Sequence, residues 1–544
     1  MKLLKVLCVA AIAIAIAAPS FAAVQNIKVS GSIEERAIFM NNFDLRNKGE
    51  ESLAPRVGLV GPLGSGASIH EDSDDFILST IRVGVESDLT DNVSAAIVLA
   101  NQARWGDAAG ATDVDVNKAY ITLKEFFYQP LTLKIGRQDL MFGTGFIIGP
   151  GIFRDPSGAF PVPRADNFAD PITSVATGVV VPVSGPMGAQ YSISTYYDAI
   201  RATLDFDPWT IDGIYAKIVE TDTGNDDEDL MGVNIAHKFD VYNAKAEGYW
   251  FYKRDDNLNS DLGYIHPTQV AVLGLGAGVT YADQYVPGVG TRVYEAEDLH
   301  TLGLRGDIEP VEDLTLQGEG AFQVGKLYDD AGPWGASTNG GSLHRTRNAW
   351  AVDLSGNYLW KDVDYKPNFG LGYVFRSGNK QGNSGKFKGW DPMFRGKFYS
   401  LIRDYQYGAG AAYDQQGGNI YRTLDYLAPS GSSNSHLLYV DGGLVPMEDL
   451  TLKARYLNWW AAEKVNSFNS NAAGSSIGTH TARGGRHIGQ EIDTSLVYDY
   501  TEDVQFDLSG GLFFPGNLFD DNIDANTKGD NHAIIVTGGV KVVF

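Results

Sequence analysis

Ala533-Ile534-Ile535-Val536-Thr537-Gly538-Gly539-Val540-Lys541-Val542-Val543-Phe544 is the stretch on which the reading of this chain turns. Val536, Val540, Val542 and Phe544 fall on one face of an extended segment and Thr537 and Lys541 on the other, because successive side chains alternate across a strand. An alternating strand that ends on an aromatic is uncommon in soluble sandwiches. It is common in bacterial outer-membrane barrels, where the ring closes the wall against lipid and forms part of the address read by the barrel-insertion machinery.

The opposite end agrees. Lys2 and Lys5 precede an apolar run from Val6 to Pro19, and Ser20-Phe21-Ala22 forms a small-x-small cleavage site. That run is shorter than the roughly 20 residues a membrane helix needs, so it reads as a secretory signal. The expected division is a signal peptide at residues 1–22 and one outer-membrane barrel with long extracellular loops at residues 23–544. Losing Lys2 and Lys5 with the leader takes the formal charge from −24 to −26. The only cysteine, Cys8, lies in the leader, so the mature chain has no disulfide framework and no thiolate site. No cofactor or metal site is called for, and so acidic a chain is a poor partner for nucleic acid. No later stretch reaches 18 apolar residues, which argues against membrane helices but not against a barrel, where only alternate residues face lipid.

Abundant glycine and 11% aromatics suit aromatic girdles, although a soluble propeller shares both traits. A propeller would repeat a blade every 40–50 residues or so, and no such period is found. Period-2 segments recur instead: Ile27, Val29 and Ile33 against Lys28, Ser30, Ser32 and Glu34; Ile81, Val83 and Val85 against Arg82 and Glu86; Leu314–Val324; and Tyr365–Arg376. Short polar turns, such as Pro310–Leu316 and its near copy Pro446–Leu452, alternate with long polar connections such as those from Asn41 to Asp75, Ser377 to Arg395 and Ala461 to Gly485. That asymmetry is the mark of a transmembrane antiparallel up-and-down β-barrel, all-β, of about 18 strands, with 16 also open.

Charge on the lipid face costs about 2–4 kcal/mol for Arg or Lys at mid-membrane, so ionisable strand residues are expected inside. The rule sends Lys134, Arg305, Asp307, Glu319, Asp353, Lys366, Arg376, Lys453, Arg455, Glu491 and Asp493 to the lumen, a mixed-sign lining that favours a wet passage over a dry plug. The alternative for each is that it merely cross-links the inner wall. At Leu131–Gln138 the phase conflicts: Leu131, Leu133 and Ile135 face lipid, and strict alternation puts Arg137 there too. A bulge at Gly136 would turn Arg137 inward and is the expectation here. The following Phe142–Gly151 is glycine-rich without phosphate-loop spacing and reads as a bent strand end and loop.

Several motifs in order resemble the alginate-export family of outer-membrane porins: Leu133–Gln138 with Phe142–Gly145 and Ile148-Gly149; Trp390–Phe394 with Tyr399 and Asp404; Leu452–Tyr456 with Trp459-Trp460; Arg486–Asp493; and Gly510–Gly516. The resemblance covers most of residues 120 to 544. It implies a monomeric 18-stranded barrel passing an anionic polysaccharide through an arginine-rich constriction, and lumen roles for Arg137, Arg455, Arg486, Glu491 and Asp493. The strongly acidic chain and mixed-sign lining depart from that pattern, so the solute is an acidic or neutral saccharide at this stage.

A passive channel for hydrophilic solutes is the leading reading, set among outer-membrane lipid and lipopolysaccharide. A sleeve enclosing a periplasmic or electron-transfer partner is the alternative. An enzyme is disfavoured, since the nine histidines are scattered and no serine sits in a nucleophile elbow. The acidic loop Asp222–Asp229 offers oxygen ligands for Ca²⁺ but lacks EF-hand spacing, so solvated loop charge is preferred there.

Overall fold

The computed structural model describes residues 26–42, 73–106, 114–150, 172–173, 180–181, 196–219, 227–255, 296–329, 343–378, 386–405, 433–464, 485–518 and 531–544. The signal expected at residues 1–22 and much of the long connections lie outside them.

Eighteen antiparallel strands close on themselves in chain order. They are β1 (Asn26–Asn41), β2 (Ser73–Thr90), β3 (Val93–Arg104), β4 (Asp115–Leu123), β5 (Leu131–Gln138), β6 (Tyr197–Asp205), β7 (Trp209–Val219), β8 (Glu228–Phe239) and β9 (Ala244–Asp255). The second half comprises β10 (Glu297–Val311), β11 (Leu314–Asp329), β12 (Leu343–Leu359), β13 (Asn368–Arg376), β14 (Ser435–Met447), β15 (Leu450–Ala461), β16 (His487–Asp499), β17 (Val504–Pro515) and β18 (Ala533–Val543). Even-to-odd connections are short, from two residues at Asp91-Asn92 to the segment 360–367; the longest odd-to-even connections, 139–196 and 377–434, leave from the opposite rim. This is the up-and-down arrangement, with short turns periplasmic and long loops outside.

Alternation decides which face is which. Val29, Val83, Val85, Ile97, Leu302, Leu304, Leu354 and Leu508 are exposed on the outer wall, where hydrocarbon covers them. The two similar turns behave alike. The ladder shifts register between Ile308 and Val311 and again between Leu444 and Met447, because Pro310 and Pro446 have no N–H to give it.

The barrel closes where β18 pairs β1, from Ser32 with Val543 to Asn41 with Ile534. The Phe544 carbonyl accepts from Gly31 N–H at 2.8 Å, and Phe544 N–H donates to Gly31 O at 3.0 Å. The Phe544 ring lies where a side chain at residue 31 would be: a Cβ there would come within 2.5 Å of the ring and 2.9 Å of the Arg82 carbonyl. Gly31→Val should therefore weaken the closing seam by about 1–3 kcal/mol. Band shift of unheated against heated protein across a temperature series measures it; an unchanged transition would show that the ring moves aside freely.

Two expectations fail in the wall. Strand β13 begins at Asn368, so Lys366 is not a lumen residue; it sits exposed in the periplasmic turn with φ 43°, its N–H donating to Val363 O. The apparent alternation through Tyr365 had run past the strand end. The bulge expected at Gly136 is also absent. β5 keeps an unbroken register with β4 and with β6 from end to end. Arg137 therefore stays on the outer face, with Asp198 as its directly paired neighbour.

Candidate functional site

Sequence-adjacent strands carry two loops that fold inward. One leaves β5 at Asp139 and the other leaves β13 at Ser377, eight strands further round a ring of eighteen, so they enter from nearly opposite walls. They meet inside. Phe394 N–H donates to Ile147 O (3.0 Å), Gly149 N–H to Phe394 O (2.9 Å), and Gly396 and Lys397 N–H both to Gly145 O (2.7 and 3.0 Å). The backbones touch at Gly149 and Gly396, where a Cβ on residue 396 would lie 2.7 Å from the Gly149 carbonyl carbon. Leu140, Phe142, Phe146, Ile147, Ile148, Trp390 and Phe394 are buried, with the Phe146 and Trp390 rings stacked 6.3 Å apart. The described parts of both loops thus lie inside the barrel and narrow the passage that the charged lining led one to expect. A run such as Phe146-Ile147-Ile148 is too apolar for a solvated loop; that was the available signal.

Wall carboxylates and cations hold the second loop down. Asp391 accepts from Lys253 on β9 (2.9 Å) and forms an ion pair with Arg347 on β12 (3.0 Å), while its backbone N–H and carbonyl both engage the Gln323 amide on β11. Burial would raise the Asp391 carboxyl, but the Lys253 ammonium and Arg347 guanidinium prevail and keep it well below the usual carboxylate range. Further along, Glu491 accepts the Ile402 and Arg403 amides (2.7 and 3.0 Å) and Asp493 accepts the Leu401 amide (3.0 Å). Asp404 accepts the Tyr399 and Ser400 amides and pairs with Arg395. Arg455 pairs with Asp441 and donates to Tyr399 O. Burial raises the Tyr399 phenol far above its ordinary value, so it remains a donor, and its hydroxyl reaches Asp353 at 2.7 Å.

Beneath the loops, inward residues at facing positions of β9 to β12 form a row: Glu247, Arg305, Glu319, Asp353. Arg305 pairs with Glu247 (2.5 Å) and Asp307 (2.8 Å), Tyr249 donates to Glu319 (2.8 Å), and Lys397 from the loop pairs with Asp353. With Thr144 above and Gln317, Gly318 and Ser355 below, Arg305, Glu319, Asp353 and Lys397 line a small recess on the periplasmic side of the loops. Gly143, at φ 57°, passes so close to Arg305 that a Cβ would lie 2.6 Å from its Cδ.

The lumen residues named from sequence fall into three groups. Arg305, Glu319, Asp353, Arg455, Glu491 and Asp493 point inward and are gathered around the loops; Arg376 joins them, buried between the Phe146 and Tyr399 rings. Lys134, its ammonium 3.7 Å from the Tyr120 ring centre, and Lys453, exposed, point inward nearer the periplasmic rim. Arg137, Arg486 and Lys366 are not brought to the lumen. Arg137 makes two 3.0 Å bonds to Asp198 on the outer wall, and Arg486 lies half-exposed at the outer rim, 3.5 Å from Glu463. Sequence reading passed over Lys253, Arg347 and Glu247. It also passed over Glu35, which faces lipid with Ser79 and the Trp105 indole as its donors (2.8 and 2.9 Å). Of the acidic loop, Asp227, Glu228 and Asp229 are described; the two aspartates lie on Lys217, and Glu228 is buried at the start of β8.

No curated protein matches this chain. The chain is similar at low identity to solved structures. Pseudomonas aeruginosa OccK8 (OprE) is 11% identical, with 96% of this chain and 98% of that one aligned at a TM-score of 0.47. P. aeruginosa OpdQ is also 11% identical, with the same coverage and a TM-score of 0.45. A family model described as alginate export matches residues 193–531, well over half of the sequence and the part that carries the second loop and its wall anchors. The chain belongs to the alginate export family and is a β-barrel channel of the outer membrane.

Proposed function

We propose that this channel passes an acidic saccharide, entering from the periplasmic side and meeting a constriction formed by the two inward loops. The observation that carries the reading is the pair Lys134 and Lys453. Each is the fourth residue of a strand leaving the periplasmic rim, and β5 and β15 stand on roughly opposing walls. No described carboxylate lies within ion-pair distance of either ammonium, whereas the lumen cations deeper in, such as Arg305 and Arg455, are neutralised by wall carboxylates. Two unneutralised cations across a wet mouth attract a polyanion and replace part of its hydration without holding it tightly. Family membership supports the same class of solute.

Planar-bilayer recording tests this. A uronate oligosaccharide added on the periplasmic side should block the current, and Lys134→Ala with Lys453→Ala should weaken the block about tenfold, more at low salt than at high. A block insensitive to both substitutions and to salt would remove the acidic-saccharide reading. Absence of any conductance, open or blocked, would favour a sleeve.

A further inference from the structure

We propose that the outer wall of β9 to β11 carries a binding site for the phosphorylated headgroup of an outer-leaflet glycolipid. The site lies on the lipid side of the barrel, so it stands apart from the channel reading.

Its lower edge is apolar and its upper edge charged. Leu304 and Leu302 on β10 and Phe322 on β11 are exposed outward, at 73%, 47% and 41%. Toward the outer rim the same face of β10 continues through His300 to Asp298, and that of β9 runs from Trp250 through Tyr252 to Arg254. Arg254 is the last residue but one of β9 and Asp298 the second of β10, where these strands leave the membrane for a long outer connection. Facing positions set Asp298 between Arg254 and Lys326 of β11. The two cations are thus held two strand spacings apart, roughly 10 Å.

Between the leucines and the cations lies a flat aromatic surface. The Trp250 indole N–H donates to His300 Nδ1 at 3.3 Å, and the two ring planes are 19° apart. A hydrogen bond between ring nitrogens at so small an angle sets the rings edge to edge as one plate. Tyr252 leans on His300 with ring centres 4.8 Å apart, and its hydroxyl donates to Asp298. Asp298 is therefore used in fixing the platform. Lys326, by contrast, is exposed and makes no ion pair among the described residues. Arg254 has five donors, enough for a wall partner and a visiting anion together.

From the membrane outward the wall thus offers hydrocarbon, a ring plate and then cations. A glycolipid presents acyl chains, sugar and phosphate in the same order. The negative face of the plate takes the C–H face of a pyranose, and a cation at the membrane surface attracts a phosphate. Two cations on either side of one carboxylate suit a headgroup phosphorylated at more than one position. A soluble phosphosugar would leave the leucines uncovered, and a phospholipid would bring no sugar to the plate. A divalent cation at Asp298 would meet Arg254 and Lys326 on either side.

Native mass spectrometry of the detergent-purified barrel tests this with three lipids: bisphosphoryl lipid A, the same lipid with both phosphates removed, and phosphatidylethanolamine. Each variant is first shown to be a closed barrel by its unheated gel band. The unaltered barrel should retain the bisphosphoryl form best. Lys326→Ala should weaken retention of that form about fivefold and leave the dephosphorylated form as it was. Trp250→Leu keeps an apolar side chain but removes the plate. It should weaken both glycolipids about fivefold and leave phosphatidylethanolamine unchanged. Neither side chain reaches the lumen, so the channel reading stands or falls separately. Equal retention of the three lipids by the unaltered barrel would overturn the site, as would retention that neither substitution changes. Weakening of all three lipids alike by both variants would mark a general lipid contact and overturn it too.

Discussion

Asp391→Ala should release the loop that follows β13 and raise the channel's conductance several-fold. The substitution leaves Lys253 and Arg347 buried without their shared anion, and breaking one side of a buried ion pair typically costs about 3–5 kcal/mol. That cost falls on a segment fixed to the wall by a limited number of bonds, so it should appear as local opening and not as collapse of the barrel. Hydrogen exchange across residues 386–405 should quicken by two orders of magnitude or so, while strands β9 to β12 keep their protection. Unchanged exchange and unchanged single-channel current would show that Asp391 is not an anchor. The pH dependence has a definite sign. A carboxyl held below its ordinary value of about 3.9 contributes fully above that value and is lost only as the pH falls through its depressed folded value. Acidification from pH 7 to pH 5 should therefore leave this anchor intact, and a release in that interval would have to come from other groups.

Gly396→Val should part the two loops from each other while each keeps its own wall anchors. Its side chain would enter a space where the Gly149 carbonyl carbon and Cα are both 2.7 Å from the first added atom, and backbone on both sides leaves no flexible neighbour to yield. The bonds from Gly396 and Lys397 to Gly145 are the first to be lost. The expected result is a noisier channel with brief openings of higher conductance, and a loss of exchange protection confined to Gly145–Gly149 and Phe394–Lys397. Alanine at the same position should give a smaller version of the same change. A quiet, unaltered trace for the valine variant would mean that the crossing does not govern the passage.

The wall was legible because the bilayer leaves a chain no choice. Any strand that crosses it must alternate, and Ile81, Val83 and Val85 or Val536, Val540 and Val542 cannot face both ways without cost. Arg137 shows where two rules competed. Electrostatics argued for a bulge, alternation argued against one, and alternation prevailed because Asp198 on the next strand neutralises the charge and the Val116 carbonyl takes a third bond. Lys366 failed for a simpler reason: polar and apolar residues alternate in turns as well as in strands. The inward loops were the least readable part. Nothing in a local pattern says that a segment leaving the outer rim will turn back, and the anchors that draw it in, Lys253, Arg347 and Gln323, stand on strands far away in the chain. Once the loops are in place, the mixed signs inside the barrel make sense. Glu491 and Asp493 serve peptide N–H groups of the second loop more than they serve a passing solute.

The meeting of the two loops also has a mechanical side. A hydrogen-bonded cylinder resists stretching along its ladder but flattens easily, since neighbouring strands hinge about one another. The described parts of the two loops, joined at Gly145, Ile147, Gly149, Phe394 and Gly396 and tied to the wall through Asp391, Glu491 and Asp493, work as a spoke inside the tube. It braces the bore against the sideways squeeze of the surrounding leaflets, so the width offered to cargo is set from within.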